Sequence, residues 1–519
     1  MPTPRTLLRA GAALSVLTLS SRVLGLLREM TKAALLGTGA LSDAFTVAFM
    51  LPNLFRRLFA EGSVAVAFIP TLKEHHVAGN ASETQEFLNS FWTIVAFAAS
   101  VAVCLGILSS PILIPLFKLQ NIDEGILLTR IMFPYLLFIS VAAFFQGILN
   151  SEGSFVPSAL APIALNIAVI GAAWLLSPHM ENPARALAAG VFIGGLLEAA
   201  IQLPIILKKG VRLAFRPLAR ALKNPGARKA GRLIAPTILG MAAYQVNDLV
   251  STALASRAGV GIVSSLQYSL RLQELILGVF AVTIGTILLP TLSEDASRRN
   301  WDAYTRNLIH GANIIALLTI PATVYALIQG ETVVRLLFQT RSFDEHSVAL
   351  TTSVFRCHIV GLYFIALNRI LAPAFYARSN TATPTVAGIA SIAVNIALAI
   401  VLTPIMQGRG IALALSIASA VNTAILIASL RRAAHIPIGP HLRRAGRRTA
   451  VVAAAALAAA IPTAILSPTI AASAARLGPH NRLIAHAAPL IATLAIYAAS
   501  AAVILAVMRD PYIRAIGRA

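Results

Sequence analysis

The chain has 519 residues, 57% of them hydrophobic and only 12% charged, whereas soluble domains carry about 25% charged residues. This balance excludes a soluble enzyme or a soluble binding module and points to a polytopic membrane protein. The formal net charge of +22 does not indicate nucleic acid, because the basic residues gather in short loops between apolar runs and form no aromatic-interleaved basic domain.

Near the start, Arg5 and Arg9 precede an apolar run that is soon interrupted by Arg22 and Arg28 and has no cleavage site. It reads as a retained first helix, not a secretory signal. Taking about 20 apolar residues per span, helices are expected near 8–36, 42–72, 88–116, 126–150, 157–178 and 184–207. A basic linker follows (208–232), then helices near 233–256, 264–292, 305–328, 349–377, 383–405 and 409–430. After a second basic loop come two Ala-rich spans near 449–467 and 484–508, for a total of about fourteen. Cys104 and Cys357 lie inside apolar segments at no metal-ligand spacing; they read as buried small hydrophobes, with no disulfide framework.

Two echoes join the halves. Ile69-Pro70-Thr71-Leu72-Lys73-Glu74 recurs as Leu289-Pro290-Thr291-Leu292-Ser293-Glu294, and SFVPSALAPIALNIAVI from Ser154 parallels TATPTVAGIASIAVNIALAI from Thr381. Two matches in the same order, about 220 residues apart, indicate a duplicated six-helix unit. The expected fold is all-α: two pseudo-symmetric six-helix lobes plus two C-terminal transmembrane helices, divided as 1–210, 211–434 with the basic linker, and 435–519. With both termini in the cytoplasm, roughly two dozen Lys and Arg fall on that side and about eight opposite, as the positive-inside rule requires.

The unusual stretch is 20–74, two apolar segments that carry Arg22, Arg28, Glu29, Asp43, Arg56, Arg57 and Glu61. An arginine at mid-membrane costs roughly 2.5 to 3.5 kcal/mol even on insertion scales, so several together must face water, protein or an anionic ligand. Arg57 and Glu61, one turn apart, are expected to pair locally. In the second half, Arg271 and Glu274 share a face, and Gln245, Asn247, Asp248, Arg356, His358, Arg369 and Asn395 are polar groups at membrane depth, more often interhelical hydrogen bonds than ligand sites. No phosphate loop, metal-spaced His or Cys set, or nucleophile and base pair is present; a transporter is expected, not an enzyme. Guanidinium forks match the oxygens of an anionic ligand bidentately in a way that ammonium groups do not.

Ser21-Arg22-Val23-Leu24-Gly25-Leu26-Leu27-Arg28, Asp43-Ala44-Phe45 and the run Leu51-Pro52-Asn53-Leu54-Phe55-Arg56-Arg57-Leu58-Phe59-Ala60-Glu61-Gly62 closely resemble the MurJ/MviN lipid II flippases of the multidrug/oligosaccharidyl-lipid/polysaccharide exporter superfamily. The resemblance implies a monomer in the bacterial inner membrane that moves undecaprenyl-diphosphate-linked peptidoglycan precursor (lipid II) to the outer leaflet by alternating access. Carried over by position, the substrate-binding residues are Arg22, Arg28, Asp43, Arg56 and Arg271, with Glu61 at a further family position. No cofactor is implied beyond sodium or the membrane potential as the driving force. Asp248 and Asn395 match the sodium site of some members, but Ala399 stands where a second carboxylate would be, and Met50 where some members carry lysine. Two alternatives share the architecture: a flippase for another polyprenyl-diphosphate-linked oligosaccharide, and a cation-coupled multidrug antiporter, whose cavity would need acids where this chain has arginines. The Ala-rich last pair fits either a groove for the lipid tail or close helix packing.

Overall fold

The computed structural model describes residues 4–57, 67–433, 436–477, 483–508 and 510. Among these residues every regular element is a helix, and the chain forms two compact units, Met1–Ser264 and Ser265–Ala519. The boundary falls in the first turn of a helix and is a division of packing, separate from the repeat read in the sequence.

The first unit contains α1 (Pro4–Leu36), α2 (Ala40–Arg56), α3 (Ile69–Ala78), α4 (Ala81–Leu113), α5 (Ile122–Met132), α6 (Tyr135–Ser151), α7 (Val156–Leu176), α8 (Pro183–Lys208), the short α9 (Leu218–Ala221) and α10 (Pro225–Ala258). Its most extensive helix pair is α7 with α8. Glycine is what permits the approach: a Cβ at Gly190 would lie 2.8 Å from the Val169 Cα, and one at Gly194 would lie 3.2 Å from the Leu165 Cα. Small residues one turn apart let membrane helices touch backbone to backbone, where lipid gives no hydrophobic drive to association. A second core is aromatic, with Phe68 buried against Phe91, Phe144 and Phe87 at ring-centroid distances of 4.8, 5.2 and 5.7 Å. The basic linker is tied down along α4: the Ala214 N–H donates to Asn89, the Arg216 N–H to Thr93, and the Arg216 guanidinium reaches Glu86 at 2.9 Å.

The second unit contains α11 (Ile262–Ser297), whose first turn precedes the boundary, α12 (Trp301–Phe338), α13 (Glu345–Ile359), α14 (Leu362–Tyr376), α15 (Ala382–Met406), α16 (Gly408–Arg432), α17 (Ile438–Leu477) and α18 (Ala488–Val507). Here α15 pairs with α16 as α7 does with α8. In the Ala-rich pair, Ala456 and Ala459 of α17 are buried with Tyr497 and Ala501 of α18 against Ile320, Val324 and Tyr325 of α12. These alanines serve close packing. Leu457, Ile461 and Ile465 of α17 stay exposed.

Nine helical runs among the described residues are long and apolar enough to cross a bilayer, and ten if the bent pair α13–α14 counts as one span. The helices α1, α2, α10 and α11, which carry candidate charged side chains, are not among them. An expected total of about fourteen is consistent with this.

Two expectations need correction. The span near 349–377 is broken by a 43° bend between α13 and α14. At the bend the Ser416 hydroxyl donates to the Cys357 carbonyl at 2.8 Å, while the Gly361 N–H turns to the His358 carbonyl. A neighbouring helix thus satisfies the backbone group that the break releases, the condition for an irregular segment in a membrane. The span near 126–150 continues through a local turn at Phe133 and Pro134 as one apolar run, Ile122–Ser151. Cys104 is exposed, not buried. It shares the outer face of α4 with Val101, Leu105 and Leu108, the face that apolar side chains present to lipid.

Candidate functional site

The charged stretch forms two linked groups in the first unit. The first arises where α1 turns into α2. Gly37, in the left-handed region at φ 58°, closes α1 with its N–H on the Ala33 carbonyl at 2.9 Å, and the chain re-enters helix after Gly39. On the last turns of α1, the Arg28 guanidinium contacts Glu29 at 3.0 Å and Lys32 contacts the other Glu29 oxygen at 3.3 Å. Lys32 also approaches the Thr46 hydroxyl of α2 at 3.4 Å. Glu29 and Lys32 are buried. Arg28 and Lys32 thus share the Glu29 carboxylate, and the Asp43 carboxylate of α2 lies close enough to Lys32 to interact with it electrostatically.

Lys32 was absent from the residues singled out in the sequence. Its signal was there, three residues after Glu29 and four after Arg28, a spacing that places all of them along neighbouring helix faces.

The second group is built on Asp43, buried in α2. Its carboxylate accepts hydrogen bonds from the Gly261 N–H (2.7 Å), the Ser264 N–H (2.9 Å) and the Ser264 hydroxyl (2.8 Å). These are the unpaired donors of the first turn of α11, and an anion there meets both the free N–H groups and the positive end of the helix dipole. Asp43 therefore acts as a cap supplied from a distant helix.

Farther along α2, the Arg56 Nε donates to the Asn53 side chain at 2.7 Å. Arg57 pairs with Asp248 of α10 at 2.9 Å, where the sequence had suggested Glu61; Glu61 lies outside the described residues. Arg22 stands on an exposed face of α1. In the second unit, Arg271 pairs with Glu274 at 3.2 Å, as its spacing predicts.

The remaining polar groups of the second unit are interhelical ties. Buried His358 meets the Ser269 hydroxyl through Nδ1 at 2.6 Å, and Gln273 donates to the His358 carbonyl. Arg356 and Arg369 are exposed, and Asn395 is buried in α15.

Of the residues named for sodium, Asp248 pairs with Arg57 at 2.9 Å and Asn395 is buried in α15, where Ala399 is fully buried one turn on.

A family model described as "Lipid II flippase MurJ" matches residues 32–473. A relative from Treponema pallidum, described as a probable lipid II flippase MurJ, is 41% identical, covering 99% of this chain and 98% of its own. A relative from Burkholderia cenocepacia, described as lipid II flippase MurJ, is 34% identical over 82% of this chain and 84% of its own. Among solved structures, an inward closed conformation of a lipid II flippase MurJ superposes with a TM-score of 0.79 at 23% identity, over 96% of this chain and 99% of that one. An inward-facing multidrug transporter of the MATE family in the MOP superfamily gives 0.64 at 14% identity, over 83% and 98%. The matched residues span both compact units and include Asp43, Arg56 and Arg271, and on them the chain belongs to the lipid II flippase MurJ family.

Proposed function

We infer that this chain is a flippase that carries lipid II from the inner to the outer leaflet of the bacterial inner membrane. It is a transporter, and no bond of the substrate need be made or broken. The observation that carries the reading is the match of the lipid II flippase MurJ family model to residues 32–473, a stretch that includes the buried Lys32, which with Arg28 contacts Glu29 at the end of α1. Cationic side chains in an apolar stretch suit a lipid-linked diphosphate, which brings about two negative charges and several acceptor oxygens. Arg22, Arg28, Arg56 and Arg271, with Glu61, are the residues proposed by family position to meet the substrate. Asp43 contributes by holding the first turn of α11, on which Arg271 is carried further along.

Movement is proposed to proceed by alternating access, the polyprenyl tail remaining in lipid while the headgroup follows the polar path. Both termini and the 208–232 linker are placed in the cytoplasm. The protein is proposed to act as a monomer, with sodium or the membrane potential as the driving force. The test is to express the chain in cells depleted of their own flippase and to measure lipid II reaching the outer leaflet; failure to restore it, with the protein present in the membrane, would refute the reading.

A further inference from the structure

At one end of the second unit, where α11, α14 and α16 finish and α15 begins, lies a cavity of about 660 Å³ lined among others by Ser293, Ser297, Trp301, Arg378, Thr383 and Arg432. Its charge is of one sign. Neither Arg378 nor Arg432 has a carboxylate partner among the described residues, and the acids nearest in sequence on α11 are engaged elsewhere: Glu294 with Arg298 at 2.8 Å, Asp295 with Asn307 at 2.7 Å. Arg378 is fixed by stacking over the Phe375 ring, 4.9 Å from its centroid, while its Nε is buried without a hydrogen-bond partner.

The first unit contains the same local structure with the opposite solution. The α6–α7 turn and the α14–α15 turn close identically: the Gly153 N–H bonds to Asn150 and the Ser154 N–H to Leu149, as the Ser379 N–H bonds to Tyr376 and the Asn380 N–H to Phe375. Gly153 and Ser379 both take the left-handed conformation, at φ 77° and 58°. In this register Glu152 corresponds to Arg378. Glu152 pairs at 2.6 Å with Lys209, just past the end of α8, whereas Arg378 lines its cavity together with Arg432, the last residue of α16. An internal ion pair in one unit is replaced by two guanidiniums in the other, which leaves both open to an anion from outside.

We propose that this cavity is a binding site for a phosphate-bearing headgroup, distinct from the charged groups of α1 and α2. Two guanidiniums offer paired donors to phosphate oxygens, the Ser and Thr hydroxyls supply further donors, and the N-terminus of the 25-residue α15, capped by Asn380, adds favourable potential. Trp301 at the wall has the amphipathic character typical of the headgroup level, which favours an anionic phospholipid over soluble phosphate. The volume falls within the range of sites for small ligands, ~300–1,000 Å³.

Trp301 makes the site observable. In full-length protein carrying Trp92→Phe and Trp174→Phe, Trp301 is the remaining tryptophan of three, and its emission is followed in detergent during titration with short-chain phosphatidylglycerol, short-chain phosphatidylcholine or inorganic phosphate. Saturable change with phosphatidylglycerol and not phosphatidylcholine is expected and identifies a lipid source; a response to inorganic phosphate alone supports the site with a soluble source. Arg432→Gln, at an exposed helix end, and Arg378→Gln should each weaken binding by about tenfold, the scale of one lost charge-assisted hydrogen bond. No response to any of the three ligands, or equal affinity in parent and both variants, overturns the proposal.

Discussion

Asp43 commits its carboxylate to three donors in the first turn of α11, which fixes what its removal should do. Asp43→Asn keeps the size but places an amide donor against N–H groups, leaving buried donors unsatisfied at a cost of about 1–3 kcal/mol, whereas Ser264→Ala should cost about 1 kcal/mol. Thermal unfolding of the purified variants checks this; a full-stability Asp43→Asn protein would show that the cap is not structural. Charge in an apolar stretch was the readable part of this site, because membrane insertion makes every such residue expensive. The local partner of Arg271 was readable from spacing, whereas the distant partner of Arg57 was not. Arg57 found Asp248, some 190 residues away, because a helix face presents one residue both to its own next turn and to a neighbouring helix, and spacing alone reports only the first.

Among the elements, the α7–α8 pair rests on backbone approach at Gly190. Gly190→Val should force the helices apart, costing about 1–3 kcal/mol as overpacking does and lowering the yield of folded protein. Gly171→Ala, at a position with nothing within 4 Å, should be neutral, and equal loss in both would remove the packing explanation. Helix existence was legible from apolar length for nearly every span. Breaks and facing were less so. The bend at Gly361 depends on Ser416 reaching the Cys357 carbonyl from another helix, and Cys104 was misread as buried because in a bilayer the lipid-facing and core-facing sides of a helix are both apolar. The cavity at Arg378 likewise had no sequence signal, since it is assembled from the ends of helices far apart in the chain.

For the whole molecule, the duplicated pattern and the distribution of Lys and Arg set the proposed topology. Single cysteines introduced in the 208–232 linker, in a Cys104→Ala, Cys357→Ala background, should resist membrane-impermeant reagents added outside the cell and react after permeabilisation; outside labelling would reverse the orientation. The central claim is that guanidinium chemistry, beyond positive charge, receives the diphosphate. Lysine keeps the field but loses the planar fork. The most direct measurement is lipid II reaching the outer leaflet in flippase-depleted cells that express the parent chain, Arg28→Lys or Arg271→Lys at matched membrane levels. Restoration by the parent, with both lysine variants as defective as the corresponding alanine variants, is the predicted result; near-normal transport by both lysine variants, or none by the parent, would contradict the account.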